Sequence, residues 1–191
     1  MALREIRLEG DPVLYKVSRP LAKMTERTKT LIEDMFETMY DGEGIGLAAP
    51  QVGILRRIFV IDAAQREGES DPMVFINPEI LETEGTQRGS EGCLSVPGKI
   101  ANVTRPNFVK VKALDENMEE FVMEADGVLA RVILHENDHL DGHLYPELAE
   151  GPLMDVDEVL SEQTSEQSED SQEEDTLYHK KIFRNGVETE H

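Results

Sequence analysis

Residues 126–142 read DGVLARVILHENDHLDG, and this stretch decides how the rest of the chain is interpreted. The spacing of its apolar residues predicts a helix from Gly127 to Leu140, with Asp126 as the N-cap and Asp141-Gly142 as the stop. Because this helix is apolar nearly all round, we expect it to be buried. The predicted strands are grouped before it, which favours an α+β fold with a largely antiparallel sheet.

The predicted helix also carries an HExxH motif at residues 135–139. Residues four apart lie on one face of a helix, so His135 and His139 can grip one metal ion, and Glu136 can reach a water on that ion. The motif also occurs by chance, and a histidine pair on an exposed helix need have no function. Here, burying two histidines with Glu136 and Asp138 costs free energy unless they are paired or bind a metal, so the motif predicts a metal centre.

Cys93 is the best candidate for a third metal ligand, because two histidines leave a catalytic ion one protein ligand short. It lies in EGCLS, residues 91–95, between glycine-bearing turns where the backbone can bend around an ion. A lone cysteine is also commonly a small core hydrophobe. A site of two histidines and one cysteine would keep a fourth position open for water.

A third stretch, GIGLAAPQ at residues 44–51, is rich in small residues that let another chain or a ligand approach the backbone closely. It lacks the GxGxxG spacing of a dinucleotide-binding loop. A structural Gly/Ala turn is the simpler interpretation. Gln51 could nevertheless present its amide N–H to an oxyanion.

The composition restricts the class of protein. The 191 residues carry a formal net charge of -21, which argues against direct binding to nucleic acid or to anionic membranes. No apolar run approaches the roughly 18 residues that span a bilayer, and the first residues show no secretory or transit signal. A single cysteine excludes an internal disulfide and suits a reducing compartment, so we expect a cytoplasmic protein.

Three segments are predicted along the chain: a folded domain at 1–150, an acidic low-complexity tail at 151–176, and a short segment at 177–191. Residues 147–176 contain twelve Asp or Glu and no Lys or Arg, which is typical of disorder. The tail is either solvated or an interaction tail, and the residues leave both open. Apolar side chains of the last segment could dock on the domain: Leu177, Tyr178, Ile182 and Phe183.

Within the domain, periodicity predicts further elements. A helix is predicted at 25–40 with Thr25 as its cap, and strands are predicted at 54–62, 74–80, 107–115 and 119–125. The last two strands are expected to form a hairpin.

Together the three motifs resemble those of peptide deformylases, the metal hydrolases that remove the formyl group from the N-terminal formyl-methionine of new proteins. The family patterns GφGφAAxQ, EGCφS and QHExDH appear in the same order as GIGLAAPQ from Gly44, EGCLS from Glu91 and LHENDHLDG from Leu134. The resemblance runs from the first residues to about Pro146. Leu134 stands where the family usually has Gln, so a hydrogen bond near the motif is expected to be missing. The acidic tail is a second departure.

The resemblance implies antiparallel sheets around the HExxH helix and a metal-dependent deformylase. It assigns roles by position: Cys93, His135 and His139 as metal ligands, Glu136 as general acid/base, and Gln51 with the Leu94 backbone N–H as oxyanion hole. The metal would be one divalent ion, Fe(2+), with Ni, Co or Zn as substitutes. A water activated by this ion would attack the formyl carbonyl while Glu136 takes its proton.

Substrate contacts follow from the resemblance and from helix geometry: Ile45, Val128 and the stem of Arg131 as walls of a methionine pocket, and Gly46 and Gly89 as main-chain partners. Glu91 and Asp138 are expected to support the ligands, with Arg105 as a partner, although solvated or salt-bridged carboxylates are the simpler alternative. The implied partners are N-formyl-methionyl nascent peptides. From its charge alone, the acidic tail suggests ribosome proximity through basic ribosomal proteins.

Two rival functions share parts of this pattern. An HExxH peptidase would have the same base and histidine pair, but such enzymes normally recruit a His or Glu as third ligand, and EGCLS favours deformylation. A non-catalytic module with a structural metal would need a fourth protein ligand. His143 is the spare candidate for that role, but Gly142 is expected to end the helix first.

Overall fold

The structure is a computed structural model that describes residues 2–64, 68–159 and 179–189. The α-helices that pack on the sheets include α1 (Glu26–Asp41) and α2 (Gly127–Leu140). The strands in chain order are β1 (Gly46–Ala48), β2 (Ile58–Ile61), β3 (Met73–Glu84), β4 (Gln87–Cys93), β5 (Val96–Arg105), β6 (Phe108–Leu114), β7 (Glu120–Asp126), β8 (Met154–Asp155), β9 (Lys180–Arg184) and β10 (Val187–Thr189). The predicted α+β class with antiparallel sheets is confirmed.

The large sheet has the strand order β1-β2-β3-β6-β7-β9-β10, and each neighbouring pair is antiparallel. Successive side chains of a strand face opposite sides of a sheet. In β2, Ile58 and Val60 pack in the apolar cluster around α1, whereas Phe59 and Ile61 pack in the cluster around α2. The two helices therefore cover opposite faces of one sheet.

The two helices begin in different ways. At the start of α1, the Thr25 hydroxyl accepts a hydrogen bond from the Thr28 backbone N–H at 3.2 Å, as the sequence predicts. α2 begins with Gly127 at a φ of 57°, a backbone conformation that favours glycine. Asp126 is the N-cap residue of α2, but its carboxylate accepts from the His179 backbone N–H at 2.7 Å and makes no bond to the helix.

The small sheet has the strand order β4-β5-β8. Strands β4 and β5 form a hairpin in which Cys93, the last residue of β4, pairs with Val96. Strand β8 pairs with Lys99 and Ile100 of β5, beyond the predicted domain boundary at residue 150. An apolar cluster of its own holds this sheet: Val96, Ala101, Val103 and Tyr145.

The C-terminal segment joins the large sheet. Strand β9 pairs with β7, and Ile182 is buried in the apolar cluster around α2. Ion pairs join Lys180 to Asp71 and, at 2.8 Å, Arg184 to Asp115. Most of the predicted acidic tail, together with Leu177 and Tyr178, falls on residues 160–178, which lie outside the described residues.

Three predictions about strands were inaccurate. Of the strand predicted at 54–62, only residues 58–61 form a strand, which is β2. Residues 54–57 turn instead, and the Arg56 N–H donates to the Ile54 carbonyl at 2.8 Å. Strand β3 extends past its predicted end, through Glu84. Strands β4 and β5 were not predicted, since their glycines are typical of turns, and Cys93 ends a strand instead of lying between turns.

Nowhere in the described ranges is there a helix long and apolar enough to cross a membrane.

Candidate active site

Three side chains that could bind a metal meet where α2 approaches the β4–β5 hairpin. One donor atom each from Cys93, His135 and His139 lies within 4.8 Å of the other two. The two histidines project from one face of α2, and their ring centroids are 5.1 Å apart. Cys93 comes from the end of β4, and its Sγ lies 3.3 Å from Nε2 of His139.

This donor set fits a transition-metal ion. Sulfur and nitrogen ligands at usual bond lengths in a tetrahedral site stand about 3.5 Å apart, close to the separation of Cys93 and His139. Both histidines are buried, and burial holds the pKa of His139 well below its ordinary value. Burial also lowers the pKa of His135, but hydrogen bonds with Cys93 and Glu91 outweigh burial and raise it. A neutral imidazole is the form that binds a metal. One thiolate and two imidazoles suit Fe(II) or Zn better than Mg or Ca.

Glu136 lies beside this cluster with one carboxylate oxygen unused. The side chain is 4% exposed, and Oε2 has no hydrogen-bond partner among the described residues. Burial raises the pKa of Glu136 to about 7, since the interior disfavours the charged form. Gly46 of β1 makes room for it, because a Cβ added there would lie 2.5 Å from Oε1 of Glu136.

Gln51 is held so that its amide N–H groups face the cysteine. Its Oε1 accepts from the Ala48 backbone N–H at 2.8 Å, which fixes the orientation of the amide. Nε2 then lies 3.3 Å from Cys93 Sγ and 3.1 Å from Ser95 Oγ. The side chain is 1% exposed, so this donor is aimed at the cluster from a rigid and dry position.

Glu91 contacts the ring nitrogen of His135 that would not bind the metal. Its Oε2 lies 2.9 Å from Nδ1 of His135, which leaves Nε2 of that ring for a metal. Arg105 makes a two-point contact with the same carboxylate, at 2.5 and 3.0 Å, and reaches Asp138 at 2.8 Å. Burial alone would raise the pKa of Glu91, but its hydrogen bonds with His135 and Arg105 outweigh burial and lower the pKa to about 2.

Comparison with known proteins identifies the family of the chain. A model described as polypeptide deformylase matches residues 3–151. The peptide deformylase of Agathobacter rectalis is 59% identical over 156 residues, which cover 82% of this chain and 96% of that protein. The chain belongs to the peptide deformylase family. Its members are metal-dependent hydrolases that remove N-terminal formyl groups.

Other deformylases agree in sequence and in fold. The peptide deformylase of Clostridium botulinum is 59% identical over 145 residues, covering 76% of this chain and 95% of that protein. The crystal structure of the Thermotoga maritima deformylase is similar with a TM-score of 0.75 at 43% identity, covering 79% of this chain and 100% of that one. The Synechococcus elongatus deformylase in complex with actinonin has a TM-score of 0.74 at 38% identity, covering 84% and 86%.

The structure also places the other residues that the deformylase resemblance implies. Ile45 and Val128 are partly buried against the apolar cluster around α2. The Leu94 side chain packs on the glycines before β1, where a Cβ added to Gly44 would lie 2.9 Å from it. Leu134, at the position where the family usually has Gln, packs against the same cluster as Ile45.

Two predicted substrate residues contact each other. The Arg131 guanidinium is buried and lies against Gly89, where an added Cβ would be 3.1 Å from Nη2. Its Nη1 donates to Glu91 at 2.7 Å, so Arg131 joins the carboxylate network of the candidate site.

Sequence reasoning missed two residues of the site. Ser95 is fully buried and accepts from Gln51, and its place in EGCLS two residues after Cys93 was a signal that could have found it. The Tyr145 ring stacks on His135 with centroids 6.0 Å apart, and its hydroxyl donates to the Lys99 carbonyl at 2.9 Å. No motif marks Tyr145.

Proposed function

We propose that this chain removes the formyl group from N-formyl-methionyl nascent peptides, using an ion held by Cys93, His135 and His139 and using Glu136 as general acid/base. The observation that carries the proposal is the convergence of the three donor atoms within 4.8 Å, beside a buried carboxylate with a free oxygen among the described residues. A thiolate and two imidazoles beside a carboxylate are the combination of groups that a hydrolytic metal site uses.

A divalent ion in this position would supply a Lewis acid, which polarises a carbonyl and lowers the pKa of water to about 7. Glu136 does the proton transfer. Its Oε2 takes a proton from the attacking water and later gives one to the nitrogen of the leaving amine. Because Glu136 is buried, bulk water does not compete for that proton.

Gln51 and the backbone N–H of Leu94 stabilise the negative charge that develops on the formyl oxygen. This role is supported by the fixed amide of Gln51, whose Nε2 faces Cys93. Donors that are already in place need no reorganisation during the reaction, and removing one typically costs about 10²- to 10³-fold in turnover.

Substrate recognition is proposed for residues at the start of β1, on β4 and on α2. Ile45, Val128 and the stem of Arg131 line the pocket for the methionine side chain. Gly46 and Gly89 offer main-chain groups to the extended peptide, which gives affinity without selecting later side chains.

We propose Fe(2+) as the working metal, because the thiolate of Cys93 makes the site soft and suits Fe(II), with Ni, Co or Zn as substitutes. An Fe(II)–thiolate centre is sensitive to oxygen. The Fe(II) form is therefore expected to lose activity in air but not under argon, whereas the Ni form keeps it in both. Equal half-lives of both forms in air would contradict this assignment.

The function is tested by formate release from an N-formyl-Met tripeptide, with protein loaded anaerobically with Fe(II). Glu136→Gln is expected to lower kcat by about 10²- to 10⁴-fold, because it removes the base and keeps the shape. Glu79→Gln is the matched control, since Glu79 is an exposed carboxylate on β3 that pairs with Lys112 at the surface. Metal content is measured on each variant.

Two results would overturn the proposal. If the metal-loaded parent releases no formate, the non-catalytic module with a structural metal becomes the better interpretation. Cleavage of an internal peptide bond in an N-acetyl peptide, with no preference for the formyl group, would favour the peptidase. Actinonin, which is bound in the Synechococcus elongatus and Ehrlichia chaffeensis deformylase structures, offers a further check, since it should inhibit the parent.

We place the reaction in the cytoplasm, where nascent chains are made, and propose that the acidic segment brings the chain near ribosomes through basic proteins. The support is charge alone, since residues 147–176 hold twelve acidic and no basic residues. Co-sedimentation with ribosomes should fall when the acids of residues 162–175 are changed to amides. Unchanged co-sedimentation would rule out this role.

A further inference from the structure

The proposed metal ligands come from two parts of the molecule that share no apolar cluster in the described residues. Buried apolar side chains of α2 pack with the large sheet, whereas those of the small sheet pack with one another and with Tyr145. Cys93 lies on the small sheet, and His135 and His139 lie on α2. The positions of the three ligands therefore depend on what joins α2 to the small sheet.

Arg131 makes four of the hydrogen bonds that connect α2 to the small sheet. It lies one helical turn before His135, and its side chain crosses to the small sheet. Nη1 donates to the Val103 carbonyl of β5 at 3.0 Å and to the Gly89 carbonyl of β4 at 3.4 Å. Nη2 donates to the Gln87 carbonyl of β4 at 3.3 Å. One planar guanidinium thus binds both strands of the hairpin, whose first strand ends in Cys93.

The same guanidinium also fixes Glu91. Its Nη1 donates to Oε1 of Glu91 at 2.7 Å, while the other oxygen of that carboxylate meets His135. Arg105, from β5, reaches Glu91 and Asp138. The two arginines and two carboxylates balance in charge, and Arg131, Arg105 and Glu91 are each less than a tenth exposed. Loss of one member leaves a buried charge without its partner, which is costly.

The backbone of β4 is shaped to accept Arg131. A Cβ added to Gly89 would lie 3.1 Å from Nη2 and 3.3 Å from Cζ of Arg131, closer than most side-chain contacts allow. Gly89 therefore serves the packing of the guanidinium, and a larger residue there would push it away from the β4 carbonyls.

We propose that Arg131 is a positioning residue for the metal site: it fixes the small sheet to α2 and so sets the distance between the Cys93 thiolate and the two histidines. This inference rests on the proposed function, because it takes Cys93, His135 and His139 as the ligands. It gives the guanidinium a role of its own, beyond that of a pocket wall, in which only the stem of Arg131 would contact the substrate. The two roles affect different measurements.

The test uses Co(II) as the probe metal and the full chain. Arg131→Met removes the guanidinium and keeps an apolar stem, and Arg131→Lys keeps a charge but cannot hold several carbonyls at once. We expect Arg131→Met to weaken Co(II) binding by about 10- to 100-fold in competition with a chelator, and to weaken or shift the thiolate-to-cobalt absorption. Arg131→Lys should fall between it and the parent. Arg88→Met is the matched control, since Arg88 lies on β4 but pairs with Glu150 at the surface.

Kinetics separates positioning from a pocket wall. With saturating metal, a positioning role predicts a lower kcat with little change in KM for formyl-Met peptides. If Arg131→Met leaves the Co(II) affinity and absorption unchanged and raises only KM, the proposal is wrong and Arg131 is a pocket wall.

Gly89→Ala covers the case in which Arg131→Met does not fold. It keeps every charge and is expected to reproduce part of the spectral change; a parent-like spectrum would count against the proposal. A parent that binds Co(II) through a thiolate but releases no formate would refute the proposed function alone. A parent without thiolate absorption would refute the positioning role as well.

Discussion

α2 contacts the large sheet and the small sheet in two physically different ways. Towards the large sheet it presents apolar side chains, among which Leu129, Ala130 and Ile133 are fully buried. Towards the small sheet it presents Arg131, His135 and Asp138, which meet Glu91, Arg105 and strand carbonyls. The first contact buries apolar area, and the second is a set of directed hydrogen bonds.

The two contacts therefore differ in function: the apolar contact stabilises the fold, and the charged contact sets positions. Apolar burial is non-directional and roughly proportional to area, so it stabilises the fold but tolerates small shifts. Hydrogen bonds between charged groups depend steeply on distance and angle, and inside a protein they stabilise little beyond the cost of desolvation. A metal site needs its donors within a few tenths of an ångström, which is what the charged contact can provide.

The largest expected effect is on the charged side. Glu91→Gln leaves Arg105 and Arg131 without their shared carboxylate, and removing one partner from a buried ion network costs about 3–5 kcal/mol. Urea unfolding of the metal-free protein measures the free energy of unfolding. Glu124→Gln, which breaks the partly exposed pair with Lys110, should lower the free energy of unfolding far less, because water and salt screen such a pair. If the two variants are equally stable, the charged contact contributes no more than a surface pair.

Sequence reasoning recovered those parts of the site that depend on local spacing. The bounds of α2 follow from the apolar run and the stop at residues 141–142, and they agree with the structure. His135 and His139 share a face for the same reason. Cys93 lies 42 residues before His135, so no local spacing connects the two. The need for a third ligand and the resemblance of the EGCLS motif to a family made that connection.

Long-range contacts were beyond the sequence. Helix geometry made the stem of Arg131 a plausible pocket wall, but it could not reveal that the guanidinium reaches Val103 and Gln87, 28 and 44 residues away. Nor could it reveal that β9, which follows residues 160–178, pairs with β7. Such contacts depend on how whole elements dock, and no period in the sequence records that.

The next largest effect is expected on the apolar side. Ile133→Ala removes a fully buried side chain between α2 and the large sheet, and such truncations cost about 2–5 kcal/mol. Its folded fraction should still bind Co(II) with parent-like affinity and absorption, because the charged contact is untouched. Leu81→Ala is the control, since this side chain is 44% exposed and its loss should matter little. A Co(II) affinity that falls as far as in Arg131→Met would abolish the distinction between the two contacts.

The smallest effect concerns a polar contact between α1 and the large sheet. The Tyr40 hydroxyl donates to Asp62 at 2.9 Å, and Asp62 also accepts from the Ser70 hydroxyl and the Asp71 backbone N–H. Tyr40→Phe therefore leaves the carboxylate with two donors. The expected cost is about 1 kcal/mol, the usual net value of one hydrogen bond.

The pH dependence of that cost identifies its origin. Burial, and next the hydrogen bond to Asp62, raise the pKa of Tyr40 from 10.0 to about 12. A group whose pKa is raised by folding adds stability that is fully present below pH 10 and is lost as the pH rises towards 12. Urea midpoints measured from pH 8 to pH 11.5 should therefore converge for the parent and Tyr40→Phe. If the Tyr40→Phe curve runs parallel to the parent, the cost of the substitution comes from packing and not from the hydrogen bond to Asp62.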